Sequence, residues 1–282
     1  PPSFFQPLVP FAQFMMNIST DEHPRYLAAY AASLTLGHVI AHALFHPSTA
    51  GGTLSDGQVD VNGHRYANKM VGTLHACVLA FVAVRCFVTT GFDLRAARLL
   101  EVPPLEHLTV GLMLVYLVYD TCFLLWRFFV LAPSRGAPER WTFGEHTLSV
   151  AHHLLGFVSW WLIYGGTGGV YWAQCIHLAE LSTPLLNVRW IMIKEGITSG
   201  PLYLAGSALF LVVFFLSRIP TTAVLLYYMY MGVDKWPSRS IAWFQFMVTL
   251  SFWGINLIWF RGGMKLVLRA LKGKSGKGKK EE

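Results

Sequence analysis

Long apolar stretches separated by short polar segments dominate this chain. A helix needs about 20 apolar residues to cross the hydrocarbon core of a bilayer, and lipid-facing backbone must satisfy its own hydrogen bonds. The candidate windows lie at 26–46, 68–90, 107–131, 148–165, 168–192, 201–230 and 241–262. The pattern therefore predicts an all-α, polytopic membrane bundle of about six to seven transmembrane helices.

Proline and glycine mark the interruptions in this pattern. Pro103-Pro104 precedes the third window, and the glycine-rich run 165–169 predicts a tight turn between the fourth and fifth windows. Pro184 lacks a backbone donor in the middle of the fifth window, which predicts a kink or local unwinding there. Pro220 predicts a bend or break within residues 201–230 for the same reason.

Composition agrees with a membrane protein. The chain is 54% hydrophobic and 13% charged, whereas a soluble domain is about a quarter charged. The net charge of +7 is concentrated near the C-terminus, and the positive-inside rule places that end in the cytosol. With no soluble domain to carry it, nucleic-acid binding is not expected. The C-terminal cations are Arg261, Lys265, Arg269, Lys272, Lys274, Lys277, Lys279 and Lys280.

The pattern divides the chain into four regions. Residues 1–25 form an N-terminal segment, and residues 26–65 hold the first transmembrane helix and a polar loop. The main membrane domain covers 66–271, and a basic tail follows at 272–282. All four cysteines lie in apolar windows without metal-ligand spacing, which predicts buried free thiols.

Polar side chains recur inside the windows at helical spacing, so each window presents a polar face. Ionisable groups at membrane depth are costly and usually face the protein interior, which predicts that these faces meet around a cavity. Alternatively, the groups form interhelical hydrogen bonds, which contribute about 0.6 kcal/mol each. The residues concerned are Asn68, Gly72, His75, Tyr116, Asp120, His152, His153, His177, Glu180, Pro184 and Asn187.

The candidate chemistry is acid–base catalysis. His152 and His153 are adjacent and point about 100° apart on a helix, so they cannot chelate one ion together and no metal site is predicted. Either histidine could act as a general acid or base if Asp120 or Glu180 orients it. We therefore take His152, His153 and Asp120 as the candidate catalytic residues.

Several short motifs, in this order and spacing, resemble the TLC domain over residues 66–271. The resemblance implies a helical bundle around a lipid-accessible cavity, with roles in ceramide synthesis, lipid sensing or membrane-lipid composition. It also implies that His75, His177, Glu180, Pro184, Asn187 and Asn256 line that cavity. The motifs are Asn68 to His75, Tyr116 to Asp120, His152-His153, Glu180 to Trp190, Phe214 to Pro220, and Asn256 to Phe260.

The chain departs from the ceramide synthases of this family at two positions. There, the paired histidines are followed by His-Asp and by a second aspartate three residues on. Here His177 matches the third histidine, but Leu178 and Leu181 replace the aspartates. The motif Glu-Leu-Ser-Thr-Pro is closest to the TLC-domain-containing subgroup. Acyl transfer with acyl-CoA as co-substrate is the one enzymatic expectation, and the missing aspartates argue against it.

Two hypotheses follow. The first is a lipid-binding, lipid-sensing or lipid-metabolising membrane protein whose partners are membrane lipids. Lys279-Lys280-Glu281-Glu282 resembles a dilysine retrieval signal, which favours the endoplasmic reticulum. The second is a non-catalytic TLC-like subunit of a larger organellar complex, for example in the mitochondrial inner membrane. The missing aspartates favour the second hypothesis, and the retained His-His pair favours the first.

Overall fold

The computed structural model describes residues 22–44, 61–91, 101–126, 129 and 143–277. Every regular element in these ranges is helical, which confirms the all-α prediction. The predicted N-terminal segment, apart from its last few residues, and the dilysine ending lie outside the described ranges. The α-helices are α1 His23–Leu44, α2 Val61–Thr90, α3 Pro104–Trp126, α4 Phe143–Leu162, α5 Val170–His177, α6 Thr183–Lys194, α7 Pro201–Met231 and α8 Arg239–Lys277.

Five of the helices described are long and apolar enough to cross a membrane, namely α1, α2, α3, α7 and α8. They fall on five of the predicted windows, so the chain is a multi-pass membrane protein. Helix α4 occupies the fourth window, and α5 with α6 occupies the fifth. Helix α8 runs to Lys277, well beyond the last apolar window. Its final turns contain no proline and several good helix formers, which explains the extension.

Glycine forms the turn between α4 and α5, as predicted. Helix α4 passes into a π-helical turn, Ile163–Thr167, in which Gly166 has a φ of 86°. Gly168 and Gly169 follow with φ values of 92° and 89°. Side chains other than glycine rarely adopt this left-handed region, so the glycines allow the chain to reverse within a few residues.

The predicted unwinding at Pro184 is confirmed. A short 3₁₀ segment, Leu178–Ser182, separates α5 from α6. Pro184 lies in the first turn of α6, where a helix has no internal partner for a backbone N–H group. The proline therefore begins a new helix and removes no hydrogen bond from it.

Of the bend or break predicted at Pro220, the break is wrong, because α7 continues through it from Pro201 to Met231, and the bend stays a prediction. Pro220 cannot donate to the carbonyl oxygen of Leu216 one turn earlier. That oxygen instead accepts a hydrogen bond of 2.9 Å from the Thr221 hydroxyl. A neighbouring side chain thus replaces the missing backbone donor, as is common for prolines in transmembrane helices.

Membrane-spanning helices that are consecutive in the chain run antiparallel, which gives the bundle two distinct ends. Asn187 of α6 contacts Lys69 of α2, and Arg189 of α6 contacts Tyr203 of α7. Helices α7 and α8 run side by side in opposite directions, joined by a short 3₁₀ turn, Val233–Lys235. The start of α2, the end of α6, the start of α7 and the end of α8 therefore share one end, which we call the C-terminal end.

Two apolar clusters form the core. One lies between α2, α5, α7 and α8 around Phe87, Tyr171 and Leu225, and the other lies between α2, α3, α4 and α5 around Leu79 and Leu108. Many large apolar side chains on the outer faces remain exposed in the isolated chain. A lipid environment accounts for that pattern, because hydrocarbon tails are as apolar as the side chains themselves.

The prediction of buried thiols is half wrong. All four cysteines are free, and Cys86 and Cys175 are buried, but Cys77 and Cys122 are exposed on α2 and α3. An apolar window predicts only that a residue avoids water. It does not distinguish contact with lipid from contact with a neighbouring helix.

Candidate functional site

A polar cavity of about 130 Å³ lies inside the bundle, between α3, α4, the 3₁₀ segment, α7 and α8. Its wall also contains apolar side chains such as Leu117 and Phe252. Polar and ionisable groups at membrane depth tend to mark functional positions, so this cavity is the candidate site. The polar residues that line it are Tyr116, His152, His153, Glu180, Arg218, Thr222, Thr249 and Asn256.

Arg218 brings a guanidinium group to the cavity from the middle of α7. Its Nε donates to the Ser182 hydroxyl at 2.9 Å, and Nη1 donates to Asn256 Oδ1 at 3.2 Å. Its Nη2 donates to Thr183 Oγ1 at 3.4 Å, and the group lies 5.0 Å from the ring centre of Phe214. All three acceptors are neutral oxygen atoms, so two of the five N–H donors lack a partner among the described residues.

Glu180 places a carboxylate on the same cavity. Its Oε2 accepts a 2.8 Å hydrogen bond from the Thr183 hydroxyl, which in turn accepts from Arg218. A single hydroxyl therefore links the carboxylate to the guanidinium. The cavity offers hydrogen-bond donors at Arg218 and acceptors at Glu180, which suits a ligand that carries both kinds of group.

His153 and Asp120 form an ion-pair contact beside the cavity. His153 Nε2 lies 3.4 Å from Asp120 Oδ2, and both side chains are largely buried. Asn68 of α2 donates to the other carboxylate oxygen at 2.9 Å, which fixes the orientation of the carboxylate. A carboxylate at Nε2 favours the proton on that nitrogen, so Nδ1 of a neutral ring keeps its lone pair. The buried Nδ1 has no partner in the described part of the chain.

His152 lies against aromatic rings of α8. Its ring centre is 4.6 Å from that of Phe252 and 5.9 Å from that of Trp259. The rings of His152 and His153 are 5.7 Å apart and tilted by 51°. Among the residues described, no group of three or more His, Cys, Asp or Glu side chains could hold a metal ion.

Two of the predicted cavity histidines lie in a buried layer outside the cavity lining. The His75 ring stacks on Tyr116 at 3.9 Å, and its Nδ1 forms a hydrogen bond with the Tyr30 hydroxyl. The His177 ring stacks on Trp160 at 4.8 Å, and its Nδ1 lies 3.3 Å from Gln174 Oε1. Tyr116 and Trp160 line the cavity, so both histidines support its wall from behind.

The structure places Pro184 and Asn187 away from the cavity as well. Pro184 begins α6, and its ring is not part of the cavity lining. Asn187 Nδ2 donates to the Lys69 carbonyl oxygen at 3.1 Å and to the Thr73 hydroxyl at 2.9 Å. Asn187 therefore joins α6 to α2, which is the interhelical role that the alternative interpretation assigned to such groups.

Arg218 is the residue that sequence reasoning missed, although it is the most strongly bound polar group of the site. It lies within the motif Phe214 to Pro220, which carried only the family resemblance. An arginine inside a long apolar window is itself a signal of an interior polar site. Thr222 and Thr249 also line the cavity, but threonines in transmembrane helices carry no comparable signal.

A second cavity, of about 240 Å³, lies near the end of α2 and the start of α3. It contains Arg85, Glu106 and Tyr171. Here Arg85 Nη1 lies 3.4 Å from Glu106 Oε1, so the cation already has a carboxylate partner. The central cavity differs because the described hydrogen-bond acceptors of its arginine are all neutral, and its nearest carboxylate, Glu180, attracts the guanidinium without a direct hydrogen bond.

Comparisons with known proteins agree with this architecture. A family model described as the TLC domain matches residues 65–262. TLC domain-containing protein 4-B of Danio rerio is 27% identical over 230 residues, which cover 76% of this chain and 79% of that protein. TLC domain-containing protein 4 of Xenopus tropicalis is 27% identical over 224 residues, covering 73% and 78%. No solved structure matches the chain.

Proposed function

The chain belongs to the TLC domain family, and from that premise we propose that it binds a membrane lipid through a polar group seated in the central cavity. Arg218 is the observation that carries the proposal. It holds a charge in the middle of a transmembrane helix, where charge is costly. The hydrogen-bond acceptors described for it are neutral oxygen atoms, and the Glu180 carboxylate interacts with it only through the field and the shared Thr183 hydroxyl. A lipid oxygen that accepts from its two remaining N–H groups would stabilise that charge.

The ligand we propose has both an acceptor and a donor. Arg218 provides hydrogen-bond donors, and Glu180 provides a carboxylate acceptor. The Thr183 hydroxyl lies between these two groups and bonds to both. Ceramide-related lipids and phospholipids both carry acceptors, and several carry hydroxyl, amide or ammonium donors. We therefore include lipid sensing and lipid metabolism within the proposal, with the endoplasmic reticulum as the proposed membrane. The identity of the lipid is a question for mass spectrometry.

Acid–base chemistry on the bound lipid is a second candidate, and the Asp120–His153 contact at 3.4 Å favours it. Asp120 would orient His153 through Nε2, and Nδ1 would take or give a proton. Acyl transfer from acyl-CoA is the reaction that the family resemblance implies. If the protein catalyses it, His153→Ala and Asp120→Asn abolish turnover in membranes supplied with acyl-CoA, while lipid retention persists. Turnover in both variants at the level of the unmodified protein would reject the catalytic candidate.

The test of lipid binding is native mass spectrometry of the protein released gently from its own membrane. A matched pair of variants separates cavity lipid from bulk lipid. A Cβ atom on Gly156 would lie 3.5 Å from Leu117 and 3.8 Å from Phe252, so Gly156→Leu fills the cavity. A Cβ atom on Gly206 meets nothing within 4 Å, so Gly206→Leu adds the same bulk elsewhere.

We expect the unmodified protein and Gly206→Leu to retain one defined lipid that Gly156→Leu loses. Thermal melting of both variants checks that they fold. The proposal fails if the unmodified protein carries only bulk lipid, or if both variants retain the lipid equally. A complex of fixed stoichiometry in which the cavity variants have no effect would instead support the alternative, a non-catalytic subunit of an organellar membrane complex.

A further inference from the structure

The two ends of the bundle differ in charge. At the end opposite the C-terminus, described cations and anions balance, and four of them form two pairs: Arg85 with Glu106 at 3.4 Å and Arg239 with Asp234 at 2.6 Å. At the C-terminal end, cations outnumber the anions Asp120 and Glu195 among the described side chains. These cations are Arg65, Lys69, Arg189, Lys194, Arg261 and Lys265.

Four cations of α8 share one face at this end. Arg261, Lys265, Arg269 and Lys272 follow one another at intervals of four, four and three positions. At 100° per residue these positions lie within an arc of about 80°. Helix α8 is continuous through Lys277, so the helical register holds across the whole set. We call these four positions the basic stripe.

The opposite face of α8 packs against α7. Phe260 and Val267 join the apolar cluster formed by Phe210 and Phe214. Gly263 approaches α7 so closely that a Cβ atom there would lie 2.7 Å from a methyl group of Leu211. These contacts fix the rotation of α8 about its axis, so Arg261 and Lys265 face away from the bundle, and positions 269 and 272 follow in the same helical register.

The exposure of the first two stripe residues agrees with this orientation. Arg261 and Lys265 are both exposed, and they lie where α8 leaves its membrane-spanning stretch. An amphipathic helix that carries Lys and Arg on one side at this depth lies at the level of lipid headgroups. Its cations are therefore within reach of phosphate groups in the adjoining leaflet.

We propose that the basic stripe binds the anionic phospholipids of one leaflet, at the outer surface of the bundle and separate from the central cavity. Clusters of four or more cations beside a transmembrane helix attract anionic headgroups, and the attraction falls off within about 10 Å at moderate ionic strength. The stripe would thus hold a local excess of acidic lipid beside α8.

The experiment compares two full-length variants that lose the same charge. One replaces the four stripe residues by glutamine: Arg261→Gln, Lys265→Gln, Arg269→Gln and Lys272→Gln. The control replaces four cations off the stripe: Lys274→Gln, Lys277→Gln, Lys279→Gln and Lys280→Gln. Each protein is reconstituted in nanodiscs containing equal amounts of phosphatidylserine and phosphatidylcholine. Native mass spectrometry then gives the ratio of the two lipids that stay bound.

We expect the unmodified protein and the control to retain phosphatidylserine preferentially, and the stripe variant to lose about tenfold or more of that preference. Added salt lowers the preference of the unmodified protein as well. An equal loss in both variants would show that total charge, and not the stripe, attracts the lipid, and would overturn the proposal. So would an absence of phosphatidylserine preference in the unmodified protein. Circular dichroism and thermal melting confirm that each variant is folded.

Discussion

Single polar side chains hold the helices of this protein together. Arg218 connects the 3₁₀ segment, α6 and α8 through one guanidinium group, and Asn187 connects α6 to α2. In a bilayer, apolar contacts between helices compete with equally apolar lipid, so hydrogen bonds and close packing carry much of the association. These residues therefore influence both stability and the shape of the cavity.

Arg218→Lys is expected to destabilise the protein although it keeps the charge. A lysine ammonium group cannot reproduce the planar fork that donates to Ser182, Asn256 and Thr183. We expect a loss of about 1–2 kcal/mol in the free energy of unfolding, measured by detergent titration in mixed micelles. Arg239→Lys is the control, because that pair with Asp234 is exposed. Equal changes in the two variants would contradict the assigned role.

Asn187→Ala tests whether Asn187 forms interhelical hydrogen bonds or lines the lipid-binding cavity. Loss of its hydrogen bonds to Lys69 and Thr73 should lower the free energy of unfolding by about 1 kcal/mol. Lipid retention in native mass spectrometry should stay unchanged, because Asn187 is not part of the cavity lining. Gly156→Leu should show the reverse pattern. A stable Asn187→Ala variant without bound lipid would place this residue in the binding site after all.

Helical spacing identified which residues face the interior, but not which of them reach the cavity. Of the predicted set, Tyr116, His152, His153, Glu180 and Asn256 line the cavity, and Asp120 contacts His153. His75 and His177 face inward too, yet Tyr116 and Trp160 stand between them and the cavity. How deeply a side chain is buried between helices depends on how several helices pack together. The sequence of one chain does not show that packing. The catalytic and lipid-binding roles of these residues remain predictions.

Breaks in the helices have specific local causes, and the glycine turn after α4 is the clearest. Gly169 combines a φ of 89° with close approach to Trp236, since a Cβ atom there would lie 3.0 Å from the indole ring. Both the positive φ and the close contact with Trp236 therefore require a residue without a side chain. It also sets the start of α5, whose C-terminal end leads into the 3₁₀ segment that carries Glu180.

Gly169→Ala should cost about 1–3 kcal/mol of stability, because alanine rarely adopts a positive φ and the indole ring must shift. Gly206→Ala provides the control within a helix. A Cβ atom at Gly206 meets nothing within 4 Å, and alanine favours the helix over glycine. Thermal melting in detergent should show a lowered midpoint only for Gly169→Ala. An unchanged midpoint would mean that the turn relaxes without strain.

The apolar windows located the helices well because lipid imposes length and hydrophobicity on every span. Proline was a less reliable guide. Pro184 begins a helix after the 3₁₀ segment, whereas Pro220 lies inside a continuous one. The difference depends on whether another donor reaches the orphaned carbonyl, as Thr221 does for Leu216. That compensation involves a particular side-chain rotamer, which the position of proline alone does not reveal.

At the scale of the whole molecule, the antiparallel contacts assign each connection to one end of the bundle. The segment after α6 and the end of α8 share the C-terminal end, while the turn between α7 and α8 lies at the other. Ser199→Cys and Lys265→Cys should therefore react with a membrane-impermeant maleimide from the same side of sealed vesicles. Lys235→Cys should react from the opposite side.

The four native cysteines are replaced by serine in the background of this experiment, because Cys77 and Cys122 are exposed. The positive-inside rule adds that Ser199→Cys and Lys265→Cys should be labelled from the cytosolic side. Labelling of all three positions from one side would contradict the antiparallel arrangement. If Lys235→Cys is instead the position labelled from the cytosolic side, the antiparallel arrangement holds. Only the predicted orientation of the protein in the membrane is then wrong.

Helix α8 continues without interruption from its candidate membrane span, Arg239–Lys265, to Lys277. Asn256 contacts Arg218 at the cavity, and the same uninterrupted helix continues to Lys277. At about 1.5 Å per residue the distance between these two positions is roughly 30 Å, so a tilt of about 5° at Asn256 displaces the outer end by about 3 Å. A ligand that tilts α8 at Asn256 would therefore also move Lys277 through one uninterrupted helix.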